Sequence, residues 1–126
     1  MRTTEQGSAH DFGLMITAYL EAVDFTESDG PDISDAAIGF SDELEELASE
    51  ACAEFMSMVI AAELDVSAID PSMMGHDLWL TRNHHGAGFW DRGYGPLGDE
   101  LTTLAQSLGG CYAYESDDHY IYTDDC

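Results

Sequence analysis

Lysine is absent from this chain, and its 126 residues hold only three arginines, Arg2, Arg82 and Arg92, against 26 acidic residues. The formal net charge of −23 excludes duplex DNA and anionic membranes as direct partners, since both would be repelled, and points to a basic partner. Between Thr3 and Thr81 there is neither lysine nor arginine, although that span holds 18 of the acids. No apolar run approaches the ~20 residues of a membrane-spanning helix. The segment Met1 to His10 carries one arginine and no apolar run, so no signal peptide is read there and the expected location is the cytoplasm. Cysteine is scarce: Cys52, Cys111 and Cys126 suit free thiols in a reducing compartment better than a disulfide framework. Also missing are Gly-x-Ser-x-Gly, a phosphate-binding loop, a dinucleotide fingerprint, and the His-x-x-x-His or Cys-x-x-Cys spacings of strong metal sites. His76, Asp77, His84, His85, Asp91 and His119 offer suitable ligand types for zinc or iron, but their spacing matches none of those patterns. The reading is therefore a non-enzyme without cofactor or metal.

What is present is apolar surface in quantity. At 44% hydrophobic residues the chain escapes the composition of disordered segments, and its length suits one domain with a real core. Phe12, Met15, Ile16, Tyr19, Leu20 and Val23 recur at helical spacing and predict a first helix from Asp11 to about Phe25. Residues 26–40 read as an acidic connection. Ser41 is a good N-cap for a second helix ending near Leu64, with its apolar stripe running from Leu44 through Leu47, Ala48, Ala51, Cys52, Phe55, Met56 and Val59 to Ile60. Gly95-Pro96 opens a third helix with the stripe Leu101, Leu104, Ala105 and Leu108, closed by Gly109 in a left-handed cap. Cys111 to Glu115 and His119 to Thr123 read as a closing hairpin.

Between the second and third helices lies the densest stretch of the chain, Gly75 to Gly95, holding both tryptophans and two of the arginines. Leu78 and Leu80 alternate with Trp79 and Thr81 as in a strand, and the glycine-rich turn after Asn83 leads to Phe89-Trp90, so a β-hairpin is expected. Trp79, Phe89 and Trp90 should pack, and Arg82 and Arg92 should pair with the protein's own acids. The resulting expectation is an α+β single domain with the order ααββαββ: three main helices on one face of an antiparallel sheet of about four strands, made of two hairpins.

From His76 to Gly93 the stretch resembles the His-Asp-Phe-Trp-Leu-Thr-Arg-Asn-Gly-His-Gly-Ala-Gly-Phe-Trp-Asp-Arg-Gly signature of small acidic proteins of phages, plasmids and other mobile elements. Leu78 stands where the usual aromatic is found, and His84 where the turn glycine is found. The resemblance implies a mobile-element origin, where proteins that disable host defence, including anti-CRISPR and anti-restriction proteins, are one recurring class.

The acids form the candidate site. Glu43, Glu46, Glu50 and Glu54 fall three or four apart on the second helix and so form a row. Asp42 and Glu45 flank it, and Asp24, Glu27, Asp29, Asp32 and Asp35 of the preceding segments extend it. An ordinary solvated helix mixes Glu with Lys to gain favourable pairs, whereas here acids neighbour acids and lose comparable amounts. The expected function is that of a DNA mimic occupying the basic DNA-binding surface of a host CRISPR effector or restriction complex. The alternative is a solubility- or salt-adapted interaction module using a sheet face lined by Tyr112, Tyr114, Tyr120 and Tyr122.

Overall fold

The computed structural model describes residues 2–27, 37, 39–84 and 87–124. Its elements are α1 (Arg2–Glu27), β1 (Gly39–Phe40), α2 (Asp42–Ala61), α3 (Pro71–Arg82), a 3₁₀ turn (Phe89–Asp91), α4 (Pro96–Ser107), β2 (Tyr112–Glu115) and β3 (Tyr120–Asp124). The sheet has three strands in the order β1-β3-β2, with β1 parallel and β2 antiparallel to β3. The expected four-stranded antiparallel sheet of two hairpins is thus replaced by four helices and a mixed sheet. No helix among the described residues is long and apolar enough to cross a membrane.

Helix α2 forms for the reasons its sequence suggests. Ser41 takes an extended conformation and its hydroxyl oxygen accepts the Leu44 N–H at 3.0 Å, satisfying a donor that the first turn would leave orphaned. Its stripe Leu44, Ala48, Ala51, Cys52, Phe55 and Val59 is buried, while Ile60 at its end is exposed. The helix stops in a Schellman motif: Glu63 N–H donates to the Ile60 carbonyl and Leu64 N–H to that of Val59, with Glu63 at φ +59°. A second left-handed residue follows α3, where His84 has φ +58° and its N–H bonds the Thr81 carbonyl. This is the position of the turn glycine in the resembled signature. Left-handed backbone costs an L side chain about 1–2 kcal/mol. We expect Glu63→Gly and His84→Gly each to raise the unfolding free energy in urea by about 0.5–1 kcal/mol, less than the backbone penalty because glycine also adds unfolded-state entropy.

The expected hairpin is where sequence and structure part. Asp70 caps α3, its carboxylate accepting the Ser72 N–H at 2.8 Å, and Pro71 occupies the first helical position, which needs no N–H. Leu78, Trp79, Leu80 and Thr81 are all buried. A helix buried on every side has no polar face and hence no 3.6-residue pattern, so its apolar run imitates a strand. The largest helix–helix contact is that of α3 with α1. They approach so closely that a Cβ on Gly75 would collide with the Met15 carbonyl, and this is what demands glycine there.

The residues of this stretch then interlock with the rest of the core. Trp79 is fully buried, sets its ring edge-on to Tyr19 at 5.5 Å and donates its indole N–H to the Thr26 hydroxyl at 2.8 Å. Phe89 stacks on Phe55 at 5.5 Å, with its N–H held by the Thr81 hydroxyl oxygen. Asn83 accepts the Cys111 N–H and donates to the Trp79 carbonyl, tying the end of α3 to the start of β2. Trp90 remains 42% exposed.

Cys111 is disulfide-bonded, which corrects the expectation of three free thiols; spacing alone does not reveal which thiols meet. Cys52 is free, and burial among α2's apolar neighbours pushes its thiol up to about 12. At pH 8 a disulfide-exchange reagent should therefore label Cys52 only as the protein unfolds, with a rate that follows stability across urea concentrations. Labelling at the rate of a free thiol in the native protein would show that α2 opens locally.

Candidate functional site

The polar face of α2 carries Asp42, Glu43, Glu45, Glu46, Glu50 and Glu54, and every one of them is exposed. From Glu43 to Glu54 the row spans about 16 Å at ~1.5 Å per residue. It is sparser than the 3.4 Å phosphate spacing of one DNA strand. Asp42, Glu43 and Glu45 lie in the first turn, where the helix dipole favours anions, so those three contribute to stability as well as to charge. Glu50 and Glu54 lie beyond its reach, and the last turn has no basic residue. Asp24 is exposed in the final turns of α1. Glu27 ends that helix, with its side chain outside the described residues, as are Asp29, Asp32 and Asp35 entirely.

The two arginines whose side chains are described, Arg82 and Arg92, are spent elsewhere. Arg92 grips the fully buried Asp77 with two bonds, Nε to Oδ2 at 3.0 Å and Nη2 to Oδ1 at 2.8 Å, and this hydrogen-bonded partner raises the guanidinium pKa further. Among the described residues Arg82 pairs with no acid, contrary to expectation. It is 3% exposed and reaches across to the end of α4, where Nε donates to the Gly109 carbonyl at 2.7 Å, Nη2 to Leu108 at 3.0 Å and Nη1 to the Tyr19 hydroxyl. A positive charge against the last carbonyls of a helix meets its negative end. Among the described residues Arg92 also lies 4.0 Å from Asp91, and two histidines lie beside acids, His76 3.6 Å from Asp77 and His119 2.6 Å from Glu115; none of these contacts involves α2.

The closing hairpin follows its sequence pattern. Ala113, Ile121 and Thr123 are buried, whereas Tyr114, Tyr120 and Tyr122 retain solvent exposure on the other face, with Tyr114 and Tyr122 stacked at 5.9 Å. The rings are thus cross-strand partners on an outward face. Sequence reasoning kept this face and the acids of α2 apart as competing sites. The structure brings them together: β1 pairs with β3, Ser41 N–H donates to the Ile121 carbonyl at 2.9 Å, and the start of α2 comes to lie beside the hairpin. Phe40, Ser41, Asp42 and Glu43 there face Asp118, Tyr120 and Tyr122 across an open groove of about 370 Å3. Only the apolar pair before the Ser41 cap hinted at it, and two residues are too short to predict a parallel pairing.

Within the groove Asp118 accepts the Tyr120 N–H at 3.0 Å and the Tyr122 hydroxyl at 2.6 Å, and these bonds hold its carboxyl below the usual range. The same hydroxyl bond, with a smaller contribution from the Glu43 charge, pushes Tyr122 up to about 12. Among the described residues no three His, Cys, Asp or Glu side chains converge to hold a metal; Asp77 is clamped by Arg92 and His119 by Glu115, and His85 lies outside them. No family model matches the chain, and neither the curated proteins nor the solved structures give a match.

Proposed function

We propose that this protein is a non-enzymatic anti-defence inhibitor of a mobile element, acting as a charge mimic of DNA. It occupies the basic DNA-binding surface of a CRISPR effector or restriction complex. The observation that carries this reading is a helix face of six exposed carboxylates with no cation against it among the described residues, while Arg82 is buried against the end of α4 and Arg92 is engaged by Asp77. Lysines and arginines that normally neutralise phosphates meet these carboxylates instead, and the target no longer holds its duplex.

The test is competition. Saturating protein should displace duplex DNA from such a complex, and the change Glu43→Lys, Glu46→Lys, Glu50→Lys and Glu54→Lys together should weaken inhibition by one to two orders of magnitude, chiefly through a slower on-rate. The fold should survive, because all four side chains are exposed. Raising ionic strength should slow association of the unaltered protein as the Debye length contracts to about 8 Å. A folded fourfold variant with full inhibition would remove α2 from the site.

One observation favours the second reading, a salt-adapted or solubility-adapted interaction module. Exposed acids also occur on α1 (Glu21, Asp24), after α2 (Glu63, Asp65, Asp70), on α4 (Asp99, Glu100) and at the hairpin turn (Asp117, Asp118). For such a module, reversing only Glu46, Glu50 and Glu54, which lie outside the groove, would leave partner binding through the tyrosine face unchanged.

A further inference from the structure

We propose that the groove between the start of α2 and the β2–β3 hairpin is a receptor for an arginine side chain of the partner protein. This deepens the mimic reading and rests on it, since it names the group that a basic DNA-binding surface inserts here.

Three properties make the groove more than another acidic patch. It is a concavity, at the small end of the range of ligand pockets, rather than a convex helix face. Its lining is mixed: the aromatic residues Phe40, Tyr120 and Tyr122 stand beside the acids Asp42, Glu43 and Asp118, which come from segments far apart in sequence. Guanidinium is planar, stacks on aromatic faces and donates to carboxylates from several edges at once, so it uses both kinds of wall; a compact ammonium uses mainly the charge.

The groove is also fixed before any partner arrives. The Ser41 cap and its backbone bond to Ile121 hold one wall on β3. Asp118 is held on the other by the Tyr120 N–H and the Tyr122 hydroxyl, one bond to each carboxylate oxygen, which leaves lone pairs on both for an incoming donor. Asp42 and Glu43 are exposed beside it. Asp118, already oriented by these bonds, loses little side-chain entropy when a donor arrives. Tyr120 is 38% exposed, although it is a large ring on a sheet whose opposite face is buried.

Hexa-arginine and hexa-lysine peptides, equal in charge, separate this proposal from general attraction to acids. Their titration into the isotope-labelled protein, followed by amide NMR, should show hexa-arginine binding about tenfold more tightly, with shifts concentrated at residues 40–43 and 118–122. Tyr120→Ala should reduce hexa-arginine affinity about five- to tenfold and leave hexa-lysine affinity within about twofold. Glu50→Lys with Glu54→Lys, away from the groove, should weaken both peptides alike. Equal affinities, or shifts spread along α2 without the hairpin, would overturn the proposal, as would a folded Tyr120→Ala variant that binds hexa-arginine normally. These outcomes are independent of the competition assay. DNA displacement without arginine preference would refute the groove and leave the mimic standing, whereas arginine preference without DNA displacement would support the groove and refute the mimic.

Discussion

Arg82→Ala should cost about 3–5 kcal/mol of unfolding free energy in urea titration, a large part of the ~5–15 kcal/mol that holds a domain together. The guanidinium is 3% exposed and makes three hydrogen bonds, to the carbonyls of Leu108 and Gly109 and to the Tyr19 hydroxyl. Bonds from a charged donor are worth about 1.5–3 kcal/mol each, and the partners left behind lose theirs without full access to water. Buried without a carboxylate, this charge is tolerable because α4 ends at it and Gly109, at φ +80°, turns the chain so that successive carbonyls face one fork. Lysine has a single donor point in place of the fork, so Arg82→Lys should recover less than half of the loss. A near-neutral Arg82→Ala would show that water replaces the guanidinium at the helix end.

The Asp77–Arg92 pair should respond asymmetrically, and the direction follows from burial. Asp77 has no solvent access, whereas Arg92 is 29% exposed in its side chain. Arg92→Ala strands a buried carboxylate and should cost about 3–5 kcal/mol, because an uncompensated interior charge is worse than no charge. Asp77→Asn leaves an arginine that can swing into water and should cost clearly less, about 1–2 kcal/mol. Adding Asp77→Asn to Arg92→Ala should restore part of the stability. Urea unfolding of the three variants checks the order, and a double variant no more stable than Arg92→Ala would place the cost in lost packing rather than in the orphaned charge.

Legibility in the sequence followed the presence of a solvent-facing side. Helix α2 has buried Leu44, Ala48, Cys52 and Phe55 opposite Glu43, Glu46, Glu50 and Glu54, so its period and its Ser41 cap announce it. The same holds for α4 with Leu101 and Ala105, and for the final hairpin, where buried Ala113 and Ile121 alternate with tyrosines. Helix α3 has no such contrast. The one local signal of a helix there is Asp70-Pro71 at its start, and the alternation of Leu78 and Leu80 reads instead as a strand. Arg82 was misassigned because in so acidic a chain a carboxylate is the expected partner, and a sequence does not show where another helix ends. The acids of α2 could be named in advance; their adjacency to Tyr120 and Tyr122 could not, since it depends on a strand of two residues.

That strand also sets an order of events. Phe40 pairs with Ile121, and Ser41 donates its N–H to the same residue, so β1 has no partner strand until the last hairpin has left the ribosome. At roughly 5–20 residues per second, the intervening chain takes on the order of 4–16 s to make. During that interval the nascent protein can dock α1 against α3, a contact entirely upstream of residue 83, but its sheet is unformed. The groove at the start of α2 is therefore completed only after all four helices have been made.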